Sequence, residues 1–509
     1  MGGLLQTQFA KSWTFHTHLP LETIPFWLGI AFLLLGLKII TTVIYNIYLH
    51  PLRKYPGPKL AAATELTYYF KSCGGDVLPW TEGLHAKYGP VVRVSPDRLI
   101  YTDPQAWKDI YGHRTGKRLE NTKDWRSYTK AYNGEHNIIT EPDARNHGAL
   151  RKIFTHAFSE KALRLQEPLI QKYVDKLIFN MQHEVSAQPD TELGMVTMYN
   201  CTTFDVMGEL AFGESLGLLE QSALTPWVKA IFGGIKAAQF LHIKLEYPWL
   251  GKVIDALMPA SLKRQRKEHF DYSVDRVNRR LEKETEKPDI WNLVLANEHG
   301  HLNTPQMHSN ATIFMIAGTE TTATLLSGVT YYLLQNPDKM ERLLKEIRAL
   351  SESELSLDTL PRLPYLTACF EEGLRMYPPI PSTLFREVPE GGNIICGQWV
   401  PAGTRVAVPQ LAINRSPINF KDPNSFIPER WLPGTGYEDD KKDACQPFST
   451  GPRNCLGKNL AYHEMRIILA KVLWNFDLEL SDQSKSWVDQ KCYGLWDKPE
   501  LWVRAKPVY

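Results

Sequence analysis

Apolar and polar positions change period along this chain, and the changes mark its elements. From Ile24 to Ile47 the run IPFWLGIAFLLLGLKIITTVIYNI is apolar with a single charge, Lys38. A helix of about 24 residues reaches ~36 Å, enough to cross a ~30 Å hydrocarbon core with some tilt. Pro25 falls in the first turn, where a missing N–H costs little. A cleaved signal peptide and a buried core helix are the rival readings. No small-residue cleavage site follows and residues 1–23 are poor in charge, so a retained transmembrane anchor over 24–47 is expected. Arg53, Lys54 and Lys59 follow the run, against Lys11 alone before it. That asymmetry places 1–23 in the lumen and the body in the cytosol. HPLRKYPGP, His50 to Pro58, makes 48–58 a stiff proline-rich hinge, with 59–509 a single body beyond it.

Within the body, YGPVVRVSPDRLIYTDP (Tyr88 to Pro104) reads as two short strands about a Ser-Pro-Asp turn. From about Ala149 the period turns helical, over Ala149–His183, Gln306–Leu334, Pro337–Leu350 and Leu460–Trp474. Glycines, prolines and β-branched residues between Pro378 and Pro409 bring short strands back. The expected fold is mainly α with a small β lobe and one N-terminal transmembrane helix. There is no strand–GxGxxG–helix unit and no P-loop; Gly434-Thr435-Gly436 stands alone in a loop. Any redox chemistry would therefore draw its electrons from a partner.

Composition narrows this further. With 43% hydrophobic and 22% charged residues the chain is globular, and a formal net charge of +2 argues against a nucleic-acid binder. Lys263-Arg264-Gln265-Arg266-Lys267 is basic, but Glu268 and Asp271 follow, as on a solvated helix face. Seven scattered cysteines without a Cys-x-x-Cys pair exclude a disulfide framework, a zinc ribbon and a covalently attached haem, and suit a reducing compartment.

One of those cysteines is set in an unusual loop, FSTGPRNCLG, Phe448 to Gly457. Gly451 and Gly457 permit tight backbone paths with N–H groups aimed at the sulfur of Cys455. A helix beginning near Gly457 turns its positive end toward that sulfur. Arg453 adds a cation suited to a carboxylate, and Phe448 can cover the sulfur from water. Inert buried thiol, nucleophile and metal ligand all compete here, although the first explains Cys201 or Cys369 better than this loop. In MIAGTETTATLL (Met315 to Leu326), Ala317 and Thr321 share a helix face, Gly318 leaves room, and Glu320 is costly to bury without work or a partner. Glu372 and Arg375, in EGLR, are three apart on one face, and PERW (Pro428 to Trp431) contributes Arg430.

The spacing Phe448-x-x-Gly451-x-Arg453-x-Cys455-x-Gly457 resembles the haem-binding signature of the cytochrome P450 monooxygenases, and the resemblance runs from the anchor to YGLWDKPEL near the end of the chain. It implies that Cys455 is the axial haem-iron ligand and that Arg453 meets a haem propionate. Ala317, Gly318, Glu320 and Thr321 then look like the oxygen-activation motif, with Thr321 bonding dioxygen and Glu320 on the proton route. Glu372, Arg375 and Arg430 would be the buried structural triad, with Trp431 in place of a more usual phenylalanine. Arg386, after YPPIPSTLF, matches an arginine that meets a propionate. In HGALRK, Arg151 matches another, while His147 stands where tryptophan is usual and is expected to bond instead of pack. HGALRKIFTHAFSEKAL and GPRNCLGKNLAY look most like fungal microsomal members, within these the group around trichothecene C-15 hydroxylases.

The resemblance implies haem b, dioxygen and electrons from NADPH through a separate NADPH–cytochrome P450 reductase. It also implies a small lipophilic substrate, a monomer on the endoplasmic reticulum membrane, and a role in secondary metabolism such as mycotoxin formation. Lys458, Lys441 and Lys442 are the expected reductase contacts. Substrate walls are expected before Ala149, around Phe232 to Phe240, along Asn310 to Thr322, near Pro381 to Leu384 and at Leu495. Trp227, Phe232, Phe240 and Trp249 can instead face lipid. A reductase-independent isomerase or dehydratase and a non-enzymatic haem-binding membrane protein are the alternatives.

Overall fold

A computed structural model describes residues 24–508 apart from 115–118, 189, 258, 284–286 and 296–301. Residues 1–23 and the side chains of Phe232 and Phe240 thus lie outside the described residues. The apolar run forms an α-helix, Ile24–Ile44, continued by a π-helical turn, Tyr45–Leu49. Phe26–Leu49 is long and apolar enough to cross a membrane, and its most apolar window is uncovered by the body.

That helix is bolted to the body where it ends. Asn46 Nδ2 donates to Ala63 O at 3.0 Å, and Arg93 Nη1 donates to Asn46 O at 2.9 Å. Arg93 N also donates to Pro56 O at 2.8 Å. A Cβ on Gly57 would lie 2.3 Å from Arg93 O, so only glycine lets the Pro56-Gly57-Pro58 segment lie this close to the sheet.

The β lobe is a five-stranded sheet in the order β1-β2-β8-β5-β3. Its strands are β1 (Val91–Ser95), β2 (Arg98–Tyr101), β3 (Thr122–Lys123), β5 (Arg386–Glu387) and β8 (Arg405–Ala407). The expected turn between β1 and β2 is present, while 378–409 divides into β5, the hairpin β6 (Asn393–Ile395) and β7 (Gln398–Val400), and β8. Register places Arg386 of β5 directly opposite Lys123 of β3. A second sheet, β4-β10-β9, joins Glu192–Gly194, Trp502–Pro507 and Phe476–Leu480.

Helices make up the rest. The 32-residue central helix Thr304–Gln335 starts at a capping box, Asn303 with Gln306, and Pro305 sits in its first turn. It packs most extensively on Met195–Phe212, a helix buried along nearly its whole length. Gly318 faces that neighbour: a Cβ there would lie 2.8 Å from Met207 Sδ. The expected helix Ala149–His183 is in fact two, Ala144–Thr155 and Glu160–Ala187, joined by a 3-10 turn at His156–Phe158. Ser159 forces the break, because its side chain caps the second helix by accepting from Ala162 N.

Candidate active site

The Cys455 loop closes on itself and then enters the helix Lys458–Asn475. Cys455 N donates to Phe448 O at 2.9 Å, while Ser449 and Gly451 both adopt left-handed backbone, φ 57° and 75°. At Gly451 a Cβ would meet Tyr111 O at 2.1 Å, so glycine is obligatory. Gly457 differs: its φ is −86°, and the nearest atom to an added Cβ is Phe158 Cε1 at 4.0 Å. It leaves open space beside the cysteine instead of relieving strain, and its N–H points at the sulfur. Phe448 packs on Tyr462 with the rings tilted by 38° and their centroids 5.2 Å apart.

Cys455 keeps accessible surface, yet surrounding protein desolvates the thiol enough to push its pKa up. The two agree if the surface opens on an interior cleft instead of bulk solvent. The Gly457 amide, Arg151 and Lys458 pull the other way without overcoming burial. The loop therefore does not make the anion by itself; a metal at the sulfur would complete it.

The arginines divide differently from the sequence-based expectation. Arg151 donates to Asn454 O at 2.7 Å and Asn454 Oδ1 at 2.6 Å, so it clamps the residue before Cys455 and sets its charge toward the sulfur. Arg453 turns away from the sulfur, pairing with Glu120 (Nη2–Oε1 2.7 Å) and donating to the carbonyls of Glu141 and Pro142. Four of its hydrogen bonds are thus taken by protein groups, leaving one of its five N–H groups for an anion. Arg386 is buried with Nε and Nη1 unpartnered, and its guanidinium packs 5.6 Å from the Tyr111 ring centroid. Opposite it Lys123, also buried, bonds Ile139 O and lies 4.4 Å over the Tyr128 ring. His147 is 4% exposed and held neutral, its pKa lowered to about 3 by burial and then by Arg453, Lys123, Arg151 and Arg386.

Two cations facing each other across an antiparallel pair are unfavourable without an anion between them. Here Glu120 pairs with Arg453, and among the described residues no acid pairs with Arg386 or Lys123. A ligand carrying carboxylates fits this excess, the thiol fits a metal, and the gap at Gly457 fits a flat face between them. These residues fit a haem. Lys123 and Glu120 carried no signal in the sequence, because neither lies in a motif.

The oxygen side is read from exposure along the central helix. Between Ser309 and Leu333 it is buried except at Thr312, Ile313, Ile316, Ala317, Gly318 and Thr321. Ile313, Ala317 and Thr321, spaced by four, form one strip facing interior space. Thr321 Oγ1 donates to Ala317 O at 2.6 Å, as Thr322 does to Gly318 O at 3.2 Å. The room expected at Gly318 is taken by Met207, so that glycine serves helix packing. Glu320 is buried and has a partner that the motif did not reveal: Lys498 forms an ion pair with its Oε1. Thr322 also bonds Glu464, whose carboxyl burial pushes up to about 8, tying the central helix to the helix that follows Cys455.

Glu372, Arg375 and Arg430 meet with no exposure at all. Arg375 grips Glu372 through Nε and Nη2 at 2.8 and 2.7 Å, and Arg430 Nε reaches it at 3.0 Å. Asp440 joins as a fourth member through Arg430. Trp431 is more than a phenylalanine substitute, since its Nε1 donates to Glu372 at 3.0 Å.

Of the expected walls, Leu384 and Leu495 are half-buried. Asn310 is not a wall: its Oδ1 takes Ile138 N at 2.9 Å and pins the loop before Ala149. Trp227 does not face lipid but stacks on Tyr272 at 4.2 Å, whereas Trp249 is 76% exposed. A cavity of about 240 Å³ lined by Lys123, Trp125, Tyr128, His136, Thr140 and Leu245 lies on the Arg386 side of the site. Lys441 and Lys458 are exposed and Lys442 half-buried.

Comparison with known proteins agrees with this geometry. The Cytochrome P450 family model matches residues 74–500. The chain is 49% identical over 464 residues to cytochrome P450 monooxygenase FUM2 of Gibberella moniliformis, covering 90% of this chain and 98% of that protein. It is 46% identical over 466 residues to cytochrome P450 monooxygenase AMT3 of Alternaria alternata, covering 91% and 95%. Cytochrome P450 monooxygenase efuB of Hormonema carpetanum matches at 46% over 474 residues, covering 92% and 94%. Matched over this length, and with Cys455 held in a glycine-bounded loop ahead of a long helix, the chain belongs to the cytochrome P450 monooxygenase family.

Proposed function

We propose that this protein is a membrane-anchored haem-thiolate monooxygenase that oxidises a small lipophilic natural product in fungal secondary metabolism. Family membership implies haem, dioxygen and an electron donor. We assign the haem as haem b, the donor as NADPH–cytochrome P450 reductase and the membrane as the endoplasmic reticulum, with residues 1–23 lumenal, 24–47 spanning, 48–58 the hinge and 59–509 catalytic. The observation that carries the reading is the pairing of an accessible yet desolvated thiol with two buried cations, Arg386 and Lys123, that form no ion pair among the described residues.

Cys455 would bind the iron, and Arg386, Lys123 and the remaining Arg453 N–H would take the propionates. When bound, haem supplies activation of dioxygen, placing one oxygen atom in a substrate C–H or C=C bond and the other in water, with two electrons and two protons. The chain does the positioning. Arg151 fixes Asn454 and with it the sulfur. The Ile313–Ala317–Thr321 strip bounds the oxygen side and holds lipophilic substrate against it. Thr321 exchanges its bond to Ala317 O for a bond toward the site, and Glu320 passes protons inward. Lys458, exposed beside the loop, offers positive charge to an acidic reductase face.

Purified protein reduced under carbon monoxide is expected to give the shifted Soret band of thiolate ligation, and Cys455→Ser to lose it while keeping the helical circular dichroism. A wild-type protein that holds haem without that band ends the reading. Binding spectra against terpenoid, polyketide and alkaloid panels then identify the substrate class. If NADPH-dependent oxygen uptake is absent with reductase present, an isomerase or dehydratase replaces the monooxygenase.

A further inference from the structure

Glu320 and Lys498 lie 178 residues apart in sequence and pair in the interior, their side chains 2% and 4% exposed. Lys498 Nζ also donates to Thr324 Oγ1 at 2.8 Å, and Thr324 in turn donates to Glu320 Oε1 at 3.3 Å. One carboxylate oxygen therefore takes both partners, and the other, Oε2, is buried without any. An unpartnered oxygen on a buried ion is unfavourable, and a fold tolerates it where the atom has a use.

The segment that delivers Lys498 is held firmly. It folds back through a bridge between Cys492 and Trp496. Trp496 stacks on Tyr377 at 4.5 Å and donates its Nε1 to Pro378 O at 2.8 Å. The helix Pro226–Glu246 grips the same segment twice: Gln239 Nε2 donates to Tyr493 O at 2.9 Å, and Lys236 pairs with Asp497 at 2.7 Å. The backbone around Lys498 reaches the surface, with Asp497 and Pro499 exposed, while the ammonium ends beside the central helix.

We propose that Lys498 is the positioning residue of Glu320: it occupies Oε1, fixes the carboxylate's rotation, and makes Oε2 the one atom through which residue 320 exchanges a proton. This rests on the reading of Glu320 as part of the proton route. Loop 492–498 then sets proton delivery at the central helix, reaching Glu320 and Thr324 through this side chain.

The test uses full-length, haem-loaded protein without substrate. In Lys498→Met the buried carboxylate loses its counter-charge, and burial favours the protonated form. Infrared spectra at neutral pH are expected to gain a protonated-carboxyl band in Lys498→Met beyond that of Glu464, which wild type, Lys498→Arg and Glu320→Gln/Lys498→Met share. With reductase and NADPH, the solvent isotope effect on oxygen uptake is expected to rise about twofold or more in Lys498→Met and to return in Lys498→Arg. If Lys498→Met does not accumulate folded, the comparison moves to the Glu320→Gln background. There a second change at 498 is expected to add nothing, because the residue acts through Glu320. No new band with an unaltered isotope effect in Lys498→Met overturns the proposal, and so does a further effect of Lys498→Met in the Glu320→Gln background. A wild type without the carbon monoxide band or oxygen uptake would instead fail the functional reading beneath it.

Discussion

Two buried clusters of charge in this molecule are built on opposite terms. Around Glu372 every charge is answered: two guanidiniums share one carboxylate, Asp440 takes the outer arginine, and backbone carbonyls at Asn414, Pro423 and Ser425 absorb the remaining N–H groups of Arg375. Around Arg386 the account stays open, with Lys123 opposite, His147 neutral between cations, and Glu120 committed to Arg453. A closed cluster belongs to the fold; an open one waits for a ligand. Residue type does not separate the two, since both are arginine-rich. The count of answering groups does.

Breaking the closed cluster should cost most. Glu372→Ala leaves Arg375 and Arg430 buried without their carboxylate, a loss of about 3–5 kcal/mol. The expected result is failure to accumulate haem-loaded protein, and a lowered urea midpoint in whatever is recovered. The open cluster should respond with split signs. Arg386→Met removes one of two facing cations, so haem-free protein is expected to melt no lower than wild type. Haem content should meanwhile fall about tenfold for the loss of roughly 1.4 kcal/mol of charge-assisted bonding. Equal losses in both measurements would place Arg386 with the structural cluster instead.

The smallest effect is one of pH. An unfolded histidine takes up a proton below about 6.5, whereas His147 resists until about 3. Between those values the unfolded state binds more protons, so this residue's share of stability falls as pH drops through the window and is constant above it. His147→Phe should flatten the fall in urea midpoint between pH 7 and 5. His85, His269 and His463, each lowered to about 4 by burial, leave a residual slope of the same sign.

What could be read from the sequence follows how local each feature is. The Cys455 loop was legible because glycines, cysteine and helix start lie within ten residues, and the Thr321 region because hydroxyls interrupt an apolar helix. Their partners were not legible. Lys498, Lys123, Glu120 and Asp440 reach their sites by topology, and an isolated lysine or acid in a loop gives no pattern. Arg453 was drawn toward a propionate by motif, yet Glu120 and two carbonyls hold most of its donors. The helix Met195–Phe212 escaped because a segment buried on every side has no polar face to set a period. The break at Ser159 was signalled by a cap, but apolar spacing on both sides concealed it.

The junction at Asn46 has a consequence for how the body meets lipid. Ala63 and Arg93 bond Asn46 in the last turn of the anchor, and Gly57 lets the next segment lie on Arg93, so the base of the span and the sheet share one hydrogen-bonded frame. Seated in a bilayer, such a frame would float at a single pitch and draught, like a hull on a fixed keel. Every copy would then hold the same exposed apolar side chains, Leu60, Phe70 and Trp249 among them, at the same depth relative to the headgroups.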